Sequence, residues 1–118
     1  LLVSLCQGSA DAHVGMLGPE SVFVYDSRTV THPPAFDGRS FGIPFSSLAY
    51  HVPGRGEPAP EMLALGAAVA IAGVVSPGSL RTALSDMAIT GSREARRRAL
   101  SCGLNLRPKR WQEDLACW

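Results

Sequence analysis

At 118 residues the chain has room for one domain, and its 46% hydrophobic against 18% charged composition is more apolar than an average soluble domain. So little polar surface favours a subunit or part of a larger assembly over a free monomer. A formal net charge of +1 offers no general field for nucleic acid or acidic lipid, and neither is expected as a partner.

The elements alternate along the chain. Leu1–Leu5 is a short apolar run that reads as a buried parallel strand entered at its first residue. It has no basic flank and is too short for a signal peptide; because it begins without Met and in mid-strand, the chain is expected to be an N-terminally incomplete piece of a domain. Ser9 is placed to cap a helix to about Leu17, with Ala10, Val14 and Leu17 on one face and Gly18-Pro19 as its stop. Ser21–Tyr25 is a second apolar strand, so residues 1–25 read as a right-handed βαβ unit with parallel strands. Residues 28–39 carry the turn signals His32-Pro33-Pro34 and Asp37-Gly38, and a third strand is expected over Arg39–Ile43. Pro44 is expected to open a short helix to about Tyr50 from its first helical position.

The stretch from Pro60 onward is the most distinctive. Met62 to Val75 holds no charged or polar side chain. A helix apolar all round is expected to be buried between other layers, and these 14 residues are fewer than the roughly 20 that span a bilayer. Gly66 and Gly73 in it suggest close backbone contact, with Gly73 also a helix stop. Ser76-Pro77 is a cap followed by a proline at the first helical position, and Leu80, Ala83, Leu84 and Met87 form an amphipathic stripe behind it. A polar, arginine-rich helix is expected over about Ser92–Ser101, ended by Cys102-Gly103. Residues 104–118 contain Trp111 and Trp118 but no usable period, and read as a C-terminal tail to a domain of residues 1–103. The whole is α/β: three layers, a mostly parallel sheet flanked by helices, with the C-terminal part helical.

The residues able to carry chemistry are few. Cys6, Cys102 and Cys117 lack the short spacing of a zinc or iron–sulfur ligand set and read as free thiols, Cys6 as a buried small hydrophobe. His13, His32 and His51 have no helical metal-ligand spacing, so no metal site is expected. No Ser–His–Asp, Cys–His or paired-carboxylate arrangement stands out, and no catalytic residue is assigned. Gly54-Arg55-Gly56 lacks the strand, helix and third glycine of a dinucleotide loop, and reads as a solvent loop with Arg55 available to an anionic ligand or partner. Asp26 and Ser27 fall at the carboxyl end of a parallel strand, where ligands of open α/β sheets gather. Pro44 and Ser46 occupy the same edge after the third strand, and the helix they open has free N–H groups for an anion. Capping and turn formation also account for these four residues.

Taken in order, Leu2–Leu5, Leu17–Ser27, Gly42-Ile43-Pro44, Met62–Ala67 and Gly73–Ser76 with Leu80 and Leu84 resemble the gamma subunit or domain of the 2-oxoacid:ferredoxin (acceptor) oxidoreductases. That family includes the pyruvate, 2-oxoglutarate, ketoisovalerate and indolepyruvate enzymes. The resemblance covers about residues 1–87, the C-terminal half of that domain; the family's Gly-Gly-Gln-Gly-type opening lies upstream, and Glu61 stands where the family usually has Asn.

The resemblance implies a cytoplasmic complex that oxidatively decarboxylates a 2-oxoacid to an acyl-CoA and passes electrons to ferredoxin. Thiamine diphosphate would be bound by alpha and beta partner subunits or domains, and the iron–sulfur clusters held elsewhere than in this chain. The gamma part would help form the coenzyme A side, with Asp26, Ser27, Pro44, Ser46 and Arg55 as candidate contacts. Two other readings stay open: a non-catalytic α/β interaction module that has lost the reaction, and an independent small-molecule enzyme working at Asp26-Ser27 and Pro44–Ser47.

Overall fold

A computed structural model describes residues 1–86 and 93–118. The element order is β1 (Leu2–Ser4), α1 (Gln7–His13, continued as a 3-10 turn over Val14–Met16), β2 (Val22–Asp26), β3 (Arg39–Ile43), α2 (Phe45–Leu48, with a 3-10 turn over Ala49–His51), α3 (Pro60–Ala72), α4 (Pro77–Asp86), α5 (Arg93–Leu104) and α6 (Trp111–Ala116). The three strands form a parallel sheet in the order β1-β2-β3. Leu2 pairs with Phe23, and Asp26 with Ile43. The architecture is therefore the expected α/β one, a parallel sheet flanked by helices with a helical C-terminal part.

Alternation along β2 decides what covers each face, because successive side chains point to opposite sides. Phe23 packs with Ala10 of α1 and with Val30, with Val14, Leu17, Tyr25 and Phe36 around them. Val22 and Val24 pack the other way, against Leu63, Ala64, Ala67 and Ala68 of α3 together with Ile43, Phe45 and Leu48. No helix joins β2 to β3. The loop over 27–38 does a helix's work instead: Val30 is buried, and Phe36 meets Phe23 edge-on with centroids 6.3 Å apart. Backbone polar groups of that loop are satisfied from α1, since Gln7 Nε2 donates to the His32 carbonyl (2.7 Å) and His32 N–H donates to Gln7 Oε1 (3.1 Å).

The helical half stacks outward from the sheet. α3 lies between the sheet and α5, and at Gly66 the two helices touch backbone to backbone. A Cβ at Gly66 would stand 2.4 Å from the Leu100 carbonyl oxygen, and one at Gly103 would stand 2.2 Å from that of Leu63. Leu80 and Leu84 of α4 pack with Ala59, Met62, Ala99 and Leu100, as their stripe predicts, whereas Ala83 of that stripe is exposed. Met87 and Ser92, which the sequence assigned to helices, lie outside the described residues. Residues 104–118 contain α6; Leu106 is buried in the core under the sheet, and Trp111, Leu115 and Trp118 pack against it.

Several local expectations are corrected. α1 starts at Gln7 with Cys6 at its N-cap; Ser9 lies inside the helix, its hydroxyl 3.4 Å from that of Ser4. Cys6 is exposed rather than buried. Pro44 sits at the N-cap of α2, one position earlier than expected, where its carbonyl accepts from Ser47 and Leu48. Gly73 meets no neighbouring atom; its φ of 65° is the left-handed stop that an L side chain resists. Gly103 is inside α5 and serves the helix crossing instead of ending the helix. Finally, α3 is not enclosed all round. Leu65 is 36% exposed, and beyond the helix end Val74 and Val75 of the same apolar run are 58% and 47% exposed. Its sheet-facing and α5-facing sides are covered; the strip continuing from Glu61 to Leu65 is not.

Candidate functional site

The carboxyl ends of β2 and β3 bring together four of the five candidate residues. Asp26, the last residue of β2, is 1% exposed. Its Oδ1 accepts the Arg28 N–H (2.9 Å), and its Oδ2 accepts the Ser46 N–H (3.0 Å) and the Ser46 hydroxyl. The N–H group that α2 could have offered to an anion is thus taken by the chain's own carboxylate. A buried charge is tolerated when it is hydrogen-bonded from several sides, and Asp26 meets that condition. Ser27 donates its N–H to the Ile43 carbonyl (3.1 Å) and keeps its side chain at the surface; Pro44 and Ser46 are half-buried. The result is a clasp between β2 and α2, with Ser27 as the exposed group on it.

Arg55 lies elsewhere, in the loop between the 3-10 turn after α2 and the start of α3. The loop turns on Gly54 and Gly56, whose φ values of 102° and 123° suit glycine. Arg98 of α5 lies across Gly54, and its Nη2 donates to the Arg55 carbonyl. Its Nη1 stands 3.7 Å from Glu94. A cavity of about 220 Å³ lies between this loop and α5, lined by Tyr50, Val52, Arg55, Glu57, Ala95 and Arg98 among others. Arg98 Nε is buried and makes no hydrogen bond. Arg98 is the residue that sequence reasoning missed here. It belongs to the arginine-rich helix expected over about Ser92–Ser101, and nothing local in sequence says that this arginine reaches back to a loop 43 residues upstream.

No three His, Cys, Asp or Glu side chains converge on a point that could hold a metal among the described residues. Cys6, Cys102 and Cys117 are free, and burial pushes the Cys102 thiol above its ordinary pKa, away from the thiolate that binds metal. The described residues therefore do not fit an iron–sulfur cluster. No helix among them is long and apolar enough to cross a membrane.

Comparison with known proteins gives these features a context. Among curated proteins none matches the chain. Among solved structures, the gamma subunit of a keto/oxoacid ferredoxin oxidoreductase from Geobacter sulfurreducens PCA is similar, with a TM-score of 0.72 and 28% sequence identity. The match covers 98% of this chain and 61% of that subunit, so the chain spans less than two thirds of its relative's length. The family model for pyruvate ferredoxin/flavodoxin oxidoreductase matches residues 1–104. That range takes in the sheet, the clasp, the Arg55 loop and the α3–α5 crossing, and the chain belongs to the pyruvate ferredoxin/flavodoxin oxidoreductase family.

Proposed function

We propose that the chain acts as a gamma-type subunit or domain of a cytoplasmic 2-oxoacid:ferredoxin oxidoreductase, supporting oxidative decarboxylation of a 2-oxoacid to an acyl-CoA. The observation that carries this reading is the near-complete overlay of the chain on a gamma subunit, together with the family match over residues 1–104. Alpha and beta partners would bind thiamine diphosphate and supply the decarboxylation chemistry. Ferredoxin would be reached through the complex, with clusters held outside the described residues.

Within that role the Arg55 loop is the proposed contact for coenzyme A. Its donor set fits an anion: Arg55 is exposed, and Arg98 lines the cavity with an unpartnered Nε. When bound, coenzyme A would supply the thiol that accepts the acyl group; this chain's part is to bind and orient its phosphates. Ser27, Pro44 and Ser46 form a second candidate contact edge, on which Asp26 works as a positioning residue by fixing Ser46 and Arg28.

Purification from the native host tests the assembly, with mass spectrometry and a thiamine diphosphate assay on whatever co-elutes. Large partners carrying the cofactor are expected. Elution alone, or with an unrelated protein and no cofactor, would remove the oxidoreductase role and favour an interaction module. In the assembled complex, Arg55→Ala is expected to raise the coenzyme A KM with little change in kcat. An unchanged KM would rule the loop out as a coenzyme A contact.

A further inference from the structure

The arginines of α5 divide by what they meet. Arg96 Nη1 pairs with Glu61 at 3.4 Å, and Arg98 is engaged by Glu94 and the Arg55 carbonyl. Arg97 lies between them in sequence and pairs with no carboxylate among the described residues. It lines a groove of about 240 Å³ between α4 and α5, with Arg81, Leu84, Ser85, Leu100 and Ser101. Arg81 likewise has no carboxylate partner among the described residues. Leu84 and Leu100, 7% and 1% exposed, form the apolar floor of the groove. Arg97 Nη2 donates to Ser85 Oγ at 3.1 Å, and Ser85 Oγ donates to the Arg81 carbonyl at 3.1 Å. The serine therefore holds the Arg97 fork at the groove while its positive charge stays uncompensated.

We propose that this α4–α5 groove binds the phosphoryl group of a small phosphorylated ligand, with Arg81 and Arg97 as the charged donors and Ser101 as a hydroxyl donor. Two guanidinium forks present more donors than a single carboxylate has lone pairs to occupy, whereas a phosphoryl or pyrophosphoryl dianion offers oxygens to both. The groove shares no lining residue with the cavity between the Arg55 loop and α5, and the inference stands independently of the coenzyme A reading.

The test is calorimetric titration of the purified full chain with inorganic pyrophosphate at fixed ionic strength. Saturable binding is expected, weakened tenfold or more by Arg97→Gln or Arg81→Gln. Both side chains are exposed, so the variants are expected to melt like the unaltered chain. Lys109→Gln, which removes the same charge at an exposed position outside the groove, is expected to stay within twofold. Equal losses in all three variants would reduce the effect to general charge attraction and overturn the proposal. Pyrophosphate binding kept in both groove variants and lost in Arg55→Ala would overturn it and move the anion to the loop. Failure to bind pyrophosphate overturns it as well, and binding of a glutamate-rich peptide in its place would make the groove a docking surface for an acidic partner.

Discussion

The sheet half of this molecule and its helical half are held by opposite devices. Around β2, side chains fill the space: Phe23 with Ala10 and Val30 on one face, Val22 and Val24 with the α3 alanines on the other. Between α3 and α5, the contact is made by the absence of side chains at Gly66 and Gly103. The first device tolerates small adjustments, because a rotamer can give. The second does not, because the atoms met are backbone. Gly66, where backbone closes the space, and Gly8, where the space is open, should therefore respond to an added side chain with opposite signs.

The largest expected effect follows at the crossing. Gly66→Leu would force a side chain into space where even a Cβ meets the Leu100 carbonyl at 2.4 Å and the Leu104 nitrogen at 2.8 Å. Overpacking typically costs about 1–3 kcal/mol, and more where the neighbour is backbone and cannot turn away. Thermal unfolding followed by circular dichroism should show a much lower Tm or no cooperative transition. An unchanged Tm would mean that α3 and α5 do not approach this closely. The counter-case is Gly8 in α1, where an added Cβ meets nothing within 4 Å. Gly8→Ala is expected to stabilise by roughly 0.4–1 kcal/mol, through helix propensity and a less flexible unfolded chain. A loss of stability at Gly8 would erase the contrast between the halves.

The clasp at the sheet's carboxyl edge comes between these in size. Asp26→Ala would leave the Ser46 and Arg28 N–H groups without their acceptor. A donor left unpaired on burial costs about 1–3 kcal/mol, so a denaturant midpoint should fall by a corresponding amount with an unchanged m-value. Ser27→Ala removes an exposed hydroxyl and should leave the midpoint in place. Equal effects of the two would show that the carboxylate is not the element joining β2 to α2.

What could be read in advance follows the same divide. The apolar run Ser21–Tyr25, the Ser76-Pro77 start and the Gly73 stop are local signals, and each marks an element that is present. The four residues at the strand ends were placed together because parallel strands align their ends. Their mutual satisfaction was not legible, since it depends on Asp26 reaching a helix start 20 residues later. Gly103 shows the limit most plainly. At the end of an arginine-rich helix it looked like a stop, because that is glycine's commonest local meaning there. Its actual role depends on Gly66, 37 positions away, and no short-range pattern encodes that pairing. Arg98 was missed for the same reason. The Trp111–Ala116 helix was missed because six residues are too few for a period, so its packing against the core decides its structure.

That last segment gives the smallest and most local prediction. Burial pushes the Asp114 carboxyl up, but hydrogen bonds from the Arg107 side chain and backbone, with the charges of Arg107 and Arg110, outweigh it and hold the pKa below the ordinary carboxylate value. Arg107 N–H reaches Asp114 Oδ2 at 2.6 Å, and its Nε reaches Oδ1 at 2.9 Å. A carboxyl whose folded pKa lies below its unfolded one adds stability at pH above the unfolded value, and loses it as pH falls through the folded value. The docking of α6 should then weaken only on strong acidification. Both tryptophans of the chain, Trp111 and Trp118, lie in this segment and pack against the core, so their fluorescence reports α6 while far-UV circular dichroism reports the whole. In an acid titration the fluorescence should change first in the unaltered chain. Asp114→Asn should give near-neutral spectra that already resemble the acid form. If fluorescence and circular dichroism move together in both proteins, α6 is not a separately releasable element, and the C-terminal residues belong to the same cooperative unit as the α3–α5 crossing.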